Sequence, residues 1–147
     1  MKLIKINVCC IAFTIIGLSL GFGSAGASAE VVAVVASNNP VSTLSNDQVA
    51  DIFLGKMVRF PDGREVVPVD QVENSAERDA FYLKFANKTP AQIKAFWSKI
   101  IFTGRGQPPP EVSNGIEVKK FIAKHPDAIG YIEQKLVDDS VKVVLTN

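Results

Sequence analysis

The chain has 147 residues, 47% of them hydrophobic, and a formal net charge of +1. Its 16 Lys and Arg against 15 Asp and Glu form no basic run for nucleic acid and no basic amphipathic helix for a membrane surface. The single histidine, His125, excludes a multi-histidine metal site. Both cysteines, Cys9 and Cys10, lie near the start, so the remainder has no thiol for a nucleophile or a disulfide.

Lys2 and Lys5 precede a largely apolar run from Ile6 to Leu20, and Ala27-Ser28-Ala29 forms an A-x-A cleavage site before Glu30. This is the layout of a secretory signal peptide over residues 1–29, cut after Ala29; the apolar run is short for a membrane span. Cys9 follows Val8 rather than a small residue, so both cysteines read as passengers of that segment. Residues 30–147 then form one exported domain, periplasmic or secreted, with no membrane span after cleavage.

Val31-Val32-Ala33-Val34-Val35-Ala36 is a continuous apolar run, as in a strand covered on both faces, and Ser37-Asn38-Asn39-Pro40 ends it. Ser45 with Gln48 predicts a capping box, Leu44 with Val49 a hydrophobic staple, and Gly55 the stop of a first helix burying Val49, Ile52 and Phe53. After the turn signal Pro61-Asp62-Gly63, Val66 to Val69 reads as a buried strand. Asn74 is the expected N-cap of the next helix, with Glu77 as its box partner and Ala80, Phe81, Leu83 and Phe85 as its apolar face. A strand feeding a helix start aims unpaired N–H groups and the positive dipole end into the turn, which makes an anion pocket. The plainer reading stands beside it, since most such turns bind nothing.

Thr89-Pro90-Ala91-Gln92 predicts a second capping box, with proline at the first helical position. Ile93, Phe96, Trp97, Ile100 and Ile101 then recur at helical spacing and are expected in the core. A glycine loop around Arg105 and the stiff Pro108-Pro109-Pro110 follow. Asn114 with Glu117 starts a further helix burying Ile116, Val118, Phe121 and Ile122, ended by His125-Pro126. Ala128 to Ile132 and Val141 to Leu145 read as strands. Helices alternating with short apolar strands predict an α/β fold with a small mixed or parallel sheet flanked by helices.

Three signals in order resemble a known family. Leu44-Ser45 through Ile52-Phe53-Leu54-Gly55-Lys56 is similar to the IF-G helix of the phosphate-binding proteins of ABC importers. Val67-Pro68-Val69 followed by Asn74-Ser75-Ala76-Glu77-Arg78 and Phe81 is similar to their strand and Ser-Gly-Thr-Arg helix start. Ala128-Ile129-Gly130-Tyr131 matches their late strand. The resemblance spans nearly all of residues 31–145 and implies a single lobe of a type 2 periplasmic-binding-protein fold. It also implies an oxyanion ligand, phosphate being the natural one, held by Asn74, Ser75, Ala76, Glu77, Arg78 and Gln71, with Arg105 a weaker candidate. Ala76 and Glu77 stand where the family has glycine and threonine, and Gln71 where it has an arginine.

Two functions are therefore expected in competition. One is an exported solute-binding domain taking phosphate or a similar oxyanion and working with an ABC permease. The other is a single-lobe interaction module whose partner is a second copy or another protein, with tight anion binding lost. An enzyme is the poorest reading: His125 is the only histidine base for Ser75, there is no nucleophile-elbow motif, and neither a metal nor a cofactor site is expected.

Overall fold

A computed structural model describes residues 29–144. The signal-peptide reading falls almost wholly outside these residues, and so does Leu145 at the end of the expected last strand. In chain order the elements are β1 (Val31–Ala36), α1 (Asn46–Phe53), β2 (Val67–Pro68), β3 (Asp70–Gln71), α2 (Ala76–Ala86), α3 (Pro90–Phe102), β4 (Glu111–Val112), α4 (Gly115–Lys124), β5 (Ala128–Glu133) and β6 (Val141–Val143). The fold is α/β with a mixed sheet, as expected.

The main sheet has the order β2-β5-β1-β6. β1 lies between β5 and β6, antiparallel to both, and β2 joins β5 in parallel. A second, two-stranded sheet pairs β3 with β4 in parallel. The expected strand from Val66 to Val69 is thus shortened to β2 in the main sheet, and β3, which follows it in the small sheet, is an additional strand.

The continuous apolar run of β1 is explained by a core on each face, because successive side chains alternate. Val31, Ala33 and Val35 join the aromatic core beneath α1, α2 and α3. Val32, Val34 and Ala36 join an aliphatic core beneath α4. In the first core Phe81 is the hub: it stacks on Tyr131 with centroids 4.0 Å apart and meets Phe53 edge-on at 4.6 Å. In the second, α4 lies so close to β5 that a Cβ on Gly130 would come within 2.4 Å of Val118 Cγ1. The glycine of the Ala-Ile-Gly-Tyr run is therefore a packing requirement of the helix above it.

Two of the three predicted capping boxes form, at Ser45–Gln48 and Thr89–Gln92 but not at Asn74–Glu77, and Gly55 takes the left-handed φ of +70° that ends α1. The start of α2 differs from expectation. Asn74 has a φ of 68°, incompatible with the extended backbone of an N-cap, and Ser75 caps the helix by accepting from the Arg78 N–H. Three helix faces are also narrower than their periodicity implied. Leu83 and Ile116 are exposed, Phe96 and Ile100 are half-buried, and α3 runs past the body of the protein so that Ile101 and Phe102 stand in solvent. Tyr82, rather than Leu83, completes the buried face of α2.

Phe81→Ala should cost about 3–5 kcal/mol, because it empties the middle of the aromatic core. Phe96→Ala should cost clearly less, and Phe102→Ala within about 0.5 kcal/mol of nothing. Urea unfolding of the three variants checks this order, and an equal loss for Phe81 and Phe102 would contradict the packing described.

Candidate functional site

Two parallel strands, each feeding a helix, set up the site. β3 runs through a Val72–Ser75 turn into α2, and β4 runs through Ser113-Asn114 into α4. Because β3 and β4 are parallel neighbours, both helix starts lie beyond the same end of the small sheet. The region outside the carboxyl ends of parallel strands is where open α/β sheets bind ligands. Asn114 caps α4 through the N–H groups of Ile116 and Glu117.

At the α2 start, the donors expected to meet an anion can be followed one by one. The Arg78 N–H donates to Ser75 Oγ at 3.3 Å, and the Asp79 N–H to the Ser75 carbonyl. The Ser75 hydroxyl has one proton and two acceptors in reach, Glu77 Oε2 at 2.9 Å and Gln71 Oε1 at 3.1 Å. The charged, nearer oxygen is the stronger acceptor. Glu77 also accepts from its own backbone N–H, and these two hydrogen bonds, the backbone one foremost, hold its carboxyl below the usual glutamate range against the opposing effect of burial. Glu133 and Lys135 lie beside it and lower it further. Among the described residues this leaves the Ala76 N–H without a protein acceptor. The helix start thus carries an anion already, and it is the protein's own.

Gln71 is fully buried, and its Nε2 donates to the Tyr131 carbonyl at 3.2 Å. Arg78 is only 6% exposed. Its Nε lies 3.3 Å from Asp70 Oδ2 and its Nη2 3.6 Å from Glu111 Oε1, with the guanidinium 5.5 Å from the centre of the Tyr82 ring. Asn74 sits exposed at the turn, one residue outside the helix. Arg105 is elsewhere, lining with Trp97 a groove between α3 and residues 54–58 that follow α1. The structure therefore gathers Gln71, Ser75, Ala76, Glu77 and Arg78 around one helix start, with Asn74 on its rim, and sets Arg105 apart.

The residue that sequence reading missed is Asp70. It is 1% exposed, yet four donors converge on it: the Gln71 N–H at 2.8 Å, the Tyr131 hydroxyl at 2.5 Å, the Tyr82 hydroxyl at 2.7 Å and Arg78 Nε at 3.3 Å. Burial pushes both phenols well above the usual tyrosine range, and Asp70 raises them further, so both keep their protons and donate. Burial works against the charge of Arg78, but Asp70 and the two phenols together offset it and the guanidinium is held protonated. A lone aspartate inside the apolar run Val66 to Val72 was the signal available in the sequence.

In structure the chain matches phosphate-binding proteins of ABC transport. It is similar to a Clostridium perfringens protein described as a phosphate ABC transporter substrate-binding protein with bound phosphate, at 27% identity and a TM-score of 0.62, over 79% of this chain and 44% of that one. It is similar in fold to an ABC-type phosphate transport receptor from Vibrio cholerae, at 20% identity and a TM-score of 0.60, over 79% and 45% of the two chains. PstS from Borrelia burgdorferi matches at 13% identity and a TM-score of 0.57, over 80% and 47%. The chain thus spans less than half the length of these solved structures. No protein-family model and no curated protein matches it.

Two outcomes follow from this geometry. Asp70→Ala should cost about 3–5 kcal/mol, since it leaves Arg78 buried against Glu111 alone and orphans two phenols, whereas Tyr82→Phe should cost only about 1.5–3. Denaturant unfolding measures both, and a neutral Asp70→Ala would contradict the network. The second concerns pH. A carboxylate whose folded pKa is depressed contributes stability above its unfolded value, near 4.5 for Glu77, and loses it as pH falls through the folded value. The stability gap between the natural chain and Glu77→Gln should therefore be full at neutral pH and close progressively below about pH 4.5. A gap unchanged at pH 3 would show that the Glu77 carboxylate makes no such bonds.

Proposed function

We propose that this chain is an exported, solute-binding-type lobe that takes phosphate or a similar oxyanion at the start of α2, and that it binds rather than catalyses. Ser75, the N–H groups of Ala76 and Glu77, and the rim residue Asn74 form the cradle in this reading, with Gln71 beneath it and Arg78 fixing the helix start from behind. The reading is carried by one observation: the likeness, at 27% identity, to a substrate-binding protein solved with phosphate bound. Export to the periplasm or beyond and service to an ABC permease belong to the same reading.

The electrostatics favour weak binding. A carboxylate 4 Å from a unit anion repels it by about 1 kcal/mol in water and about 4 kcal/mol at an effective dielectric of 20. The helix dipole returns about 0.3–1 kcal/mol. Arg78 cannot tip this balance, because its charge is shared between Asp70 and Glu111. Glu77 must turn away before phosphate can reach Ser75, so affinity near millimolar is the expectation. A second reading, a lobe that works by protein contact alone, is favoured by the same self-occupied helix start.

Calorimetry with phosphate, sulfate and a neutral sugar separates the two. Glu77→Thr removes the resident carboxylate and should tighten phosphate binding about tenfold, which corresponds to about 1.4 kcal/mol of relieved repulsion. Ser75→Ala should weaken it. If neither the natural chain nor Glu77→Thr gives heat or a thermal shift with tens of millimolar phosphate, the oxyanion reading fails and the contact reading replaces it.

A further inference from the structure

The end of α3 carries a feature that anion binding does not use. α3 ends beyond the protein body, leaving Phe102 92% and Ile101 54% exposed. Ile100, just before this knob, lines a groove of about 480 Å³ between α3 and residues 54–58 that follow α1, with Leu54, Val58, Phe96, Trp97 and Arg105 also in its lining. Val58 is itself 64% exposed. Nothing in the fold requires an almost naked phenylalanine at a helix end, and the stretch Pro90–Phe102 would stay helical without it.

The charges of α3 and of the loop after it are of one sign, although Lys94 is paired with Glu73 at 3.6 Å. α3 contains Lys94 and Lys99 and no acidic residue, and the following loop adds Arg105. Lys99 stands one turn before Phe102 on the helix surface. Lys56, on the opposite wall, pairs with Asp51 at 3.3 Å, whereas Lys99 and Arg105 have no carboxylate within 4 Å among the described residues.

We propose that this knob and groove form a docking surface for a partner protein segment that presents an apolar side chain flanked by carboxylates. Its apolar side chain fills the groove beside Trp97, its carboxylates meet Lys99 and Arg105, and Phe102 packs over it. The cations decide against a second copy, since two such faces would bring Lys99 and Arg105 against their own counterparts. The concave groove decides against a flat lipid surface, which would engage Phe102 alone. This surface is independent of the oxyanion reading, and either can fail without the other.

Trp97 is the only tryptophan in the chain and lines the groove, so its fluorescence is a built-in reporter. The probe is a six-residue peptide with a Leu-Phe centre flanked on each side by two glutamates; its twin carries lysines instead. The glutamate peptide should change Trp97 emission saturably, bind at least about tenfold more tightly than the twin and weaken with salt. Amide shifts at Gly55 and Gly106 give a second readout. Phe102→Ala and Lys99→Glu should each weaken binding at least about fivefold with unchanged melting temperature and unchanged response to phosphate. Equal affinity for the twin, or no response by either readout up to millimolar peptide, overturns the proposal. So does self-association lost in Phe102→Ala, which would make the occupant a second copy. Binding to phosphatidylglycerol vesicles that Phe102→Ala abolishes would make it a membrane, and overturns the proposal equally.

Discussion

One buried carboxylate organises this molecule. Asp70 could not stay in the interior unless its charge were met, and it is met from three elements at once: its own strand β3, the helix α2 through Arg78 and Tyr82, and the strand β5 through Tyr131. Breaking such an ion pair by removing one partner is far costlier than never having built it. The network therefore fixes where α2 begins and how the small β3–β4 sheet sits against the main one. Tyr131 stacks on Phe81 with its ring and reaches Asp70 with its hydroxyl, joining the aromatic core to the polar network around Asp70. Packing energetics and site geometry are thus the same fact seen from two sides.

The same constraint shapes what the helix start can do. Arg78 is the natural cation for an incoming anion, but its guanidinium lies between Asp70 and Glu111 and brings no spare charge to the pocket. Gln71 supplies an amide to the Tyr131 carbonyl and no charge at all. Glu77 then meets the helix start with a tethered carboxylate, which reaches the Ser75 hydroxyl without the loss of translational freedom that a free ligand would suffer. In the proposed function an external oxyanion must displace this internal one, so that a single side chain sets the affinity of the helix start.

What could be read from the sequence was local. The Ser45–Gln48 and Thr89–Gln92 boxes each lie within one helical turn, and the left-handed stop at Gly55 needs only glycine, so all three were legible. The two-faced burial of β1 was legible for the same reason, from its unbroken apolar run. Asp70 was not, because its partners Tyr82 and Tyr131 lie 12 and 61 residues away and no spacing rule links them. The cap of α2 was misplaced by one residue. Asn74 and Ser75 are equally good capping residues by type, and only the backbone shows that Asn74 takes the left-handed turn that asparagine tolerates. The periodicity of α3 correctly marked Ile93 and Trp97, but it could not show that the helix outruns its support and leaves Phe102 in water.

The proposed oxyanion site at the start of α2, with its donors held by Glu77, can be tested amide by amide. The most direct measurement is the amide spectrum of the natural chain during a phosphate titration at fixed pH and ionic strength, with chloride as the matched salt. Saturable shifts concentrated at Ala76, Glu77 and Arg78 are expected, with the Ala76 amide moving first because among the described residues it has no protein acceptor to give up. Shifts of equal size scattered over the surface lysines, with the Ala76 amide still, would contradict it.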